Sequence, residues 1–455
     1  VVALAACAGA CQQYRAAPLE LGAHREAFLA RTPEAASVAE FARALDRDEQ
    51  TTTPVFDPSD GVTVAEAEAI AMVFNTDLRV ARARAGIAEA TAAEAGLWED
   101  PVIGVDLSRI IESATHPWKT FGSVGLTIPI SGRLALEKSR AGEAHAAELV
   151  RLAALEWDTR MALRREWVRW EALEAQAAVA REFRARVDEV LGIVDLMERS
   201  GEISRTEARL FRIERATAAL DLVAVESART ERVLAITRLM GLSPDAPATL
   251  VPTGLDAGRW GGNSGAAPGA RGAFSVEANP RVAAAAAEYA VAERTLELEV
   301  RKQVPDVEIG PGFGREDGQD QLTLGIAIPI PILNANRRAI AEAEAARAAA
   351  RAEAERAVEA AVADLALADV HLRAAHERRR TLESEIVPLV DAQYTDAREV
   401  ARLGEVNTLV LLESMKRQHE AKVRLIGARS EESLAALQME EIAGPEWARN
   451  AGDEP

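Results

Sequence analysis

Two kinds of hydrophobic pattern alternate along this chain. Four short stretches carry period-2 alternation, in which every second side chain is apolar. From Ile103 to Leu107 and from Val307 to Phe313 the apolar set sits on odd positions, with Asp, Glu, Ser or Gly between. From Gly122 to Ile130 and from Leu322 to Ile330 it sits on even positions. Such alternation predicts strands with one apolar and one polar face. The polar stretches Ile110–Trp118 and Glu316–Gly318 join them into two hairpins. Each strand is about 9–11 residues long, the length a tilted strand needs to cross a hydrocarbon layer.

The remainder is alanine-rich, charge-laced and periodic at helical spacing. Thr63 with Glu66 forms a capping box that opens a helix expected to run to Trp98, a candidate interfacial anchor. A helix without proline is expected from Arg133 to Arg199, roughly 100 Å long at 1.5 Å per residue. Ser200-Gly201 ends it, and a return helix is expected from Ser204 to Met240. A second long helix is expected from Asn336 to Leu403, kinked at Pro388, turning at Gly404 and returning from Asn407 to Ile442. Two shorter helices placed end to end match the length of one long one.

The two halves repeat each other. Asn75–Leu134 and Asn279–Leu333 both open on Asn, continue as a helix, and meet a proline (Pro101, Pro305) where strand begins. Both close on Gly-x-x-x-Pro-Ile: Gly125, Pro129 and Ile130, then Gly325, Pro329 and Ile330. The four prolines mark the strand–helix junctions. The expected organisation is 1–11 as a signal remnant and lipidation site, 12–62 as an extension, and 63–243 as the first repeat with its hairpin at 101–130. Residues 244–275 follow as a Gly/Pro-rich linker or equatorial segment, 276–444 as the second repeat with its hairpin at 305–330, and 445–455 as a disordered tail. Four strands cannot close on themselves, and an open edge in lipid leaves backbone groups unpaired. If the strands face lipid, several chains must share one barrel.

Composition narrows the function. A net charge of −19 argues against nucleic acid as a partner. No run of eighteen apolar residues marks a transmembrane helix. The six histidines lack metal-ligand spacing; His371 and His376 read as solvated helix positions, and no metal or cofactor is expected. Neither a nucleotide loop nor a nucleophile constellation is present, so no enzymatic activity is expected. Both cysteines, Cys7 and Cys11, lie in VVALAACAGAC. Leu4-Ala5-Ala6-Cys7 resembles a bacterial lipobox, and Cys11 stands in a weaker version followed by Gln-Gln-Tyr; one of the two is expected to carry lipid.

These motifs resemble the TolC-type outer-membrane efflux proteins, the outer ducts of tripartite exporters, over Thr63 to Gly444. The resemblance rests on the repeated hairpins ending in Pro-Ile and on the tips Ser200-Gly201-Glu202-Ile203 and Leu403-Gly404-Glu405-Val406. Arg238-Leu239-Met240-Gly241-Leu242 and the cysteine start add to it, the latter being similar to the lipoprotein branch that includes heavy-metal and drug exporters. The resemblance implies a mainly α fold with a small β part: a homotrimer with a twelve-stranded transmembrane barrel and a periplasmic α-barrel. It implies outer-membrane lipid, a periplasmic adaptor (membrane fusion protein) and an inner-membrane RND-type pump as partners. The adaptor is expected at the tips, around Gly201, Glu202, Gly404 and Glu405. Glu413 and Glu207 occupy positions that narrow the periplasmic mouth in that family. Each also has a plainer reading: Glu413 as a solvated or salt-bridged helix position, Glu207 as the partner of Ser204 in a capping box. The expected cargo is metal cations or small toxic compounds. A periplasmic coiled-coil scaffold or adaptor is the alternative, although an adaptor would carry one helical hairpin rather than two, each tied to strands.

Overall fold

The computed structural model describes residues 14–48, 56–109, 111, 118–260, 276–316, 318–402 and 408–445. The chain divides into two compact units, residues 1–75 with 237–251, and residues 76–236 with 252–455.

In the first unit, α1 (Leu21–Leu29), α2 (Ala36–Asp48) and α3 (Val64–Phe74) precede the segment that returns at Thr237. Val38, Ile70, Met240 and Leu242 are among its buried apolar residues. The capping box forms as expected: Glu66 N–H donates to Thr63 Oγ1, and Thr63 N–H donates to Glu66 Oε2 at 2.9 Å. The helix does not run on to Trp98, however. It breaks at Asn75, whose ψ of 130° is extended, and whose amide donates to the Leu239 carbonyl at 2.9 Å. Gly241 lies against this break with φ +72°; a Cβ there would stand 2.2 Å from the Phe74 carbonyl oxygen. Arg31 clamps the same turn through the Gly241 carbonyl at 2.8 Å. Val62 bridges to Leu250 in parallel, closing the unit's two chain segments on each other.

The second unit holds α4 (Thr76–Ala93), β1 (Val102–Arg109), β2 (Trp118–Ile128), α5 (Arg133–Ser200) and α6 (Arg205–Leu239), whose last turn passes into the first unit. It continues with α7 (Ala257–Trp260), α8 (Pro280–Arg301), β3 (Val307–Glu316), β4 (Gln319–Ala327), α9 (Arg337–Thr381), α10 (Val387–Arg402) and α11 (Thr408–Ala443). The 68-residue α5 is one unbroken helix. Near the strands it lies beside α4, with Arg82–Glu156 at 2.7 Å. Farther along it runs antiparallel to α6 through Arg232–Glu166, Arg215–Asp188 and Arg212–Asp195. End-to-end pairing of short helices along a long one is thus observed. Exposed pairs of this kind are worth about 0.2–1 kcal/mol each and mainly hold register; burial of Leu191, Val194, Phe183 and Val187 against Ala208, Phe211 and Ala218 supplies the packing.

The second long helix contains a π-turn at Leu382–Ile386, one turn before Pro388. A proline lacks an N–H and crowds the carbonyl four residues back, so the wider turn accommodates it. Where the first unit has Asn75 and Gly241, the second has Asn279 and Gly444. The Asn279 amide donates to the Ile442 carbonyl at 2.9 Å, and a Cβ on Gly444 (φ +78°) would stand 2.1 Å from the Ala278 carbonyl oxygen.

Part of the stretch read as linker is packed. Glu171, buried on α5, accepts backbone N–H bonds from Thr253 and Gly254, and Trp260 is buried with its indole N–H on the Gly254 carbonyl. The anchor itself, lying on another element, was not legible from the glycine and proline content of this stretch.

Candidate membrane-facing sheet and helical tip

The four strands form one antiparallel sheet in the order β1-β2-β3-β4. The central pairing, β2 with β3, joins hairpins about 190 residues apart in sequence, with Gly122 opposite Phe313 and Leu126 opposite Ile309. Register settles which side chains share a face. Ile103 faces Val124 and Val105 faces Gly122; Ile309 faces Ile326, Pro311 faces Leu324 and Phe313 faces Leu322. One face therefore carries Ile103, Val105, Leu107, Val124, Leu126, Ile128, Val307, Ile309, Pro311, Phe313, Leu322, Leu324 and Ile326.

That face is uncovered within the chain. Val105 is 80 % exposed, Leu322 84 % and Leu324 68 %. The opposite face carries Gly104, Asp106, Ser108, Lys119, Ser123, Glu308 and Thr323, with Lys119 paired to Glu316 across β2–β3. A contiguous apolar patch of this extent is far from normal for a surface meeting water. At the hairpin ends the apolar face changes character: Arg109 lies 5.6 Å above the Trp118 ring, and Arg315 pairs with Asp320 at 3.1 Å. β2 has 11 residues; at about 3.4 Å each and a tilt near 45° it spans roughly 26 Å, the height of an outer-membrane apolar band. β1 and β4 each pair on one side only, so the sheet has two open edges.

Two large apolar side chains, Val102 at the start of β1 and Phe121 on β2, break the alternation. Phe121 lies on the polar face, its ring laid over Gly312 and Gly314 of β3; a Cβ on either glycine would meet that ring at 2.3 and 2.5 Å. The glycines of Gly310-Pro311-Gly312-Phe313-Gly314 supply the slot for it. The signal was present in the sequence as an apolar residue out of phase opposite a glycine-rich strand.

The prolines bracket the strands. Pro101 immediately precedes β1, Pro129 immediately follows β2, Pro305 lies two residues before β3, and Pro329 two residues after β4. Helix restarts through a left-handed residue in both halves, Gly132 (φ +73°) and Asn336 (φ +54°). Between sheet and helix, Arg133 bonds Asp306 at 2.7 Å, Glu99 at 2.7 Å and Glu137 at 3.0 Å. The Asp306 carboxylate, helped by Glu137, holds the Arg133 guanidinium above its ordinary basicity, although partial burial opposes this. Three carboxylates meet on this one cation; Glu137 is its helical i,i+4 neighbour, but no local sequence pattern announces Glu99 or Asp306.

At the other end of α5, Gly201 closes the helix with φ +81°, and its N–H and that of Glu202 bond back to Glu198 and Met197. Glu207 forms a capping box with Ser204: Ser204 N–H donates to its carboxylate at 2.9 Å, and Glu207 N–H donates to Ser204 Oγ at 3.2 Å. Glu413 lies on the exposed side of α11, accepting from Arg417 at 2.7 Å, while neighbouring Leu412 turns inward onto Leu191, Val194 and Phe211. Gly404, Glu405, Cys7 and Cys11 lie outside the described residues. Among the described residues no helix is long and apolar enough to cross a membrane, and no group of three or more His, Cys, Asp or Glu side chains is placed to hold a metal.

No protein-family model and no curated relative matches the sequence. Solved structures do. The outer-membrane channel OprN superposes with a TM-score of 0.71 at 17% identity, covering 86% of this chain and 91% of that one. The outer membrane protein VceC from Vibrio cholerae gives 0.68 at 15% identity, covering 84% and 96%. The open state of the MtrE outer membrane channel from Neisseria gonorrhoeae gives 0.64 at 16% identity, covering 84% and 89%. The mainly helical architecture with one four-stranded antiparallel sheet, expected from the sequence, is the one found, and this chain has the fold of the outer-membrane channels.

Proposed function

We propose that three copies of this chain form the passive outer-membrane duct of a tripartite exporter. The observation that carries this reading is the one-sided sheet: an apolar face left bare, a polar face opposite, and two unpaired edges. Lipid accepts such a face but tolerates no open edge, so edge must meet edge in neighbouring copies. Three copies supply twelve strands, within the range of closed barrels, with the polar faces lining the lumen. Helices of roughly 100 Å then reach from the barrel across the periplasm.

In this reading the chain performs no chemistry; it binds an adaptor and conducts. The tips at Gly201-Glu202 and Gly404-Glu405 receive the periplasmic adaptor, and an inner-membrane RND-type pump supplies the energy. Lipid on Cys7 or Cys11 anchors each copy; one acyl chain holds a membrane only marginally, and three together hold it firmly. Glu413, repeated around the threefold axis, forms an anionic ring at the periplasmic mouth that favours cations. Metal cations are the favoured cargo, with small toxic organic compounds second; Glu207 contributes to the same mouth less directly, its carboxylate being engaged with Ser204.

The test is fractionation followed by bilayer recording. The expected result is a detergent-dependent, heat-modifiable trimer in the outer membrane that conducts after purification. Glu413→Ala in the same recordings is expected to weaken cation selectivity or raise open probability. A water-soluble monomer sinks the duct; unchanged selectivity and gating in the variant sink the Glu413 assignment alone.

A further inference from the structure

One half-buried titratable group in the helical unit has no part in the reading above. His419 on α11 stacks on Phe183 of α5, with ring centroids 4.3 Å apart and planes 14° from parallel. It sits at the level where Phe183, Val187, Ala218 and Met415 make the apolar seam of α5, α6 and α11. Its Nδ1 is buried and has no hydrogen-bond partner among the described residues. A neutral imidazole tolerates this arrangement if the inward nitrogen is the one without a proton. An imidazolium carries N–H on both nitrogens, so protonation forces a buried donor with nothing to receive it.

The charges around the ring come from every helix packed there. Arg186 faces it from α5, held by Glu182, by the Gln418 side chain at 2.6 Å, and over the Tyr394 ring of α10. Asp221 and Glu214 face it from α6, Glu214 being tied to Lys416 at 2.9 Å. Glu420 is its neighbour on α11, and Asp391 of α10 bonds the other end of Gln418 at 2.7 Å. We propose that the α5–α6–α11 seam is an acid-sensitive joint, in which protonation of His419 loosens α11 from α5 above the helical tip.

The carboxylates Asp221, Glu420 and Glu214 favour the proton; burial of the ring and the Arg186 charge oppose it. Burial is the larger effect and depresses the imidazole below its ordinary value of 6.5. The sign follows. With a depressed folded-state value, the unfolded or opened state takes up the proton first, so the seam is fully stable above the ordinary histidine range and loses stability as pH falls below it. The inference concerns the helical seam and does not depend on conduction.

Hydrogen exchange on the full-length protein in detergent tests it, at pH about 7.5 and about 5, on either side of the ordinary histidine range, corrected for intrinsic exchange. In the wild type, the α11 segment around His419 and the α5 segment around Phe183 are expected to open several-fold more at the lower pH. His419→Phe keeps the stack and cannot titrate, so its seam is expected to lose no more protection in acid than the α8–α9 helices elsewhere in the same protein. Equal acid response in wild type and variant overturns the proposal. Where His419→Phe folds poorly, His419→Gln takes its place with the same expectation. The wild type, labelled with 13C-histidine, gives an answer needing no variant: His419 titrating at or above 6.5 overturns the proposal.

Discussion

At the residue scale, the chain's two Asn/Gly pairs show how local chemistry fixes where helices stop. Asn75 and Asn279 each spend a side-chain amide on the last carbonyls of a helix far away in sequence, Leu239 and Ile442. Gly241 and Gly444 permit the left-handed turn that brings those carbonyls close. The asparagines were legible as the first residue of each repeat; their role was not, because the partner lies about 160 positions on. Gly241→Ala therefore meets two penalties. The positive φ costs roughly 1 kcal/mol or more, and the new methyl falls 2.2 Å from the Phe74 carbonyl, which is backbone and cannot step aside. Gly427→Ala is the control, since a Cβ there meets open space inside a helix and gains about 0.5–1 kcal/mol of helix propensity. Thermal melting is expected to fall in the first variant and hold or rise in the second. Equal melting temperatures would mean that the turn carries no strain.

At the element scale, period and length were the readable quantities. The strand period placed all four strands within a few residues, since a one-residue slip would move the whole apolar set to the other face. The 68 residues of α5 and the position of its tip glycine were likewise legible, because nothing between Arg133 and Ser200 breaks a helix. What was not legible is how one element seats another. The expected helix to Trp98 stops at Asn75, Glu171 pins residues 253–254, and Arg133 gathers Glu99, Glu137 and Asp306. The β2–β3 seam is the clearest case. Phe121 there fills the slot over Gly312 and Gly314, supporting the pairing that joins the two hairpins. Phe121→Ala removes a half-buried ring, worth about 1–2 kcal/mol, from the place where the halves meet. If the proposed trimeric barrel forms, the variant is expected to lose its heat-modifiable form at a lower temperature than wild type. An unshifted transition would show that the ring rests on the glycines without supporting the sheet.

At the scale of the whole molecule, the sheet decides between water and lipid, and the two faces allow a direct contrast. Leu324 and Thr323 are adjacent at the middle of β4 and turned to opposite faces by the pleat. In a soluble protein with a private core, the charge is harmless at one of these sites only if that site faces water, and Leu324 is already 68 % exposed. Arginine there would then cost almost nothing. In a lipid-facing sheet, Leu324→Arg puts a guanidinium near the middle of the hydrocarbon, at about 2–4 kcal/mol per copy, and threefold assembly counts that cost three times. In the same lipid-facing sheet Thr323→Arg would face the lumen, and it is expected to assemble. The yield of heat-modifiable trimer in the outer-membrane fraction should thus drop sharply for the first variant and stay near wild type for the second. Were both to assemble equally, the bare apolar face would have to be covered by something other than lipid.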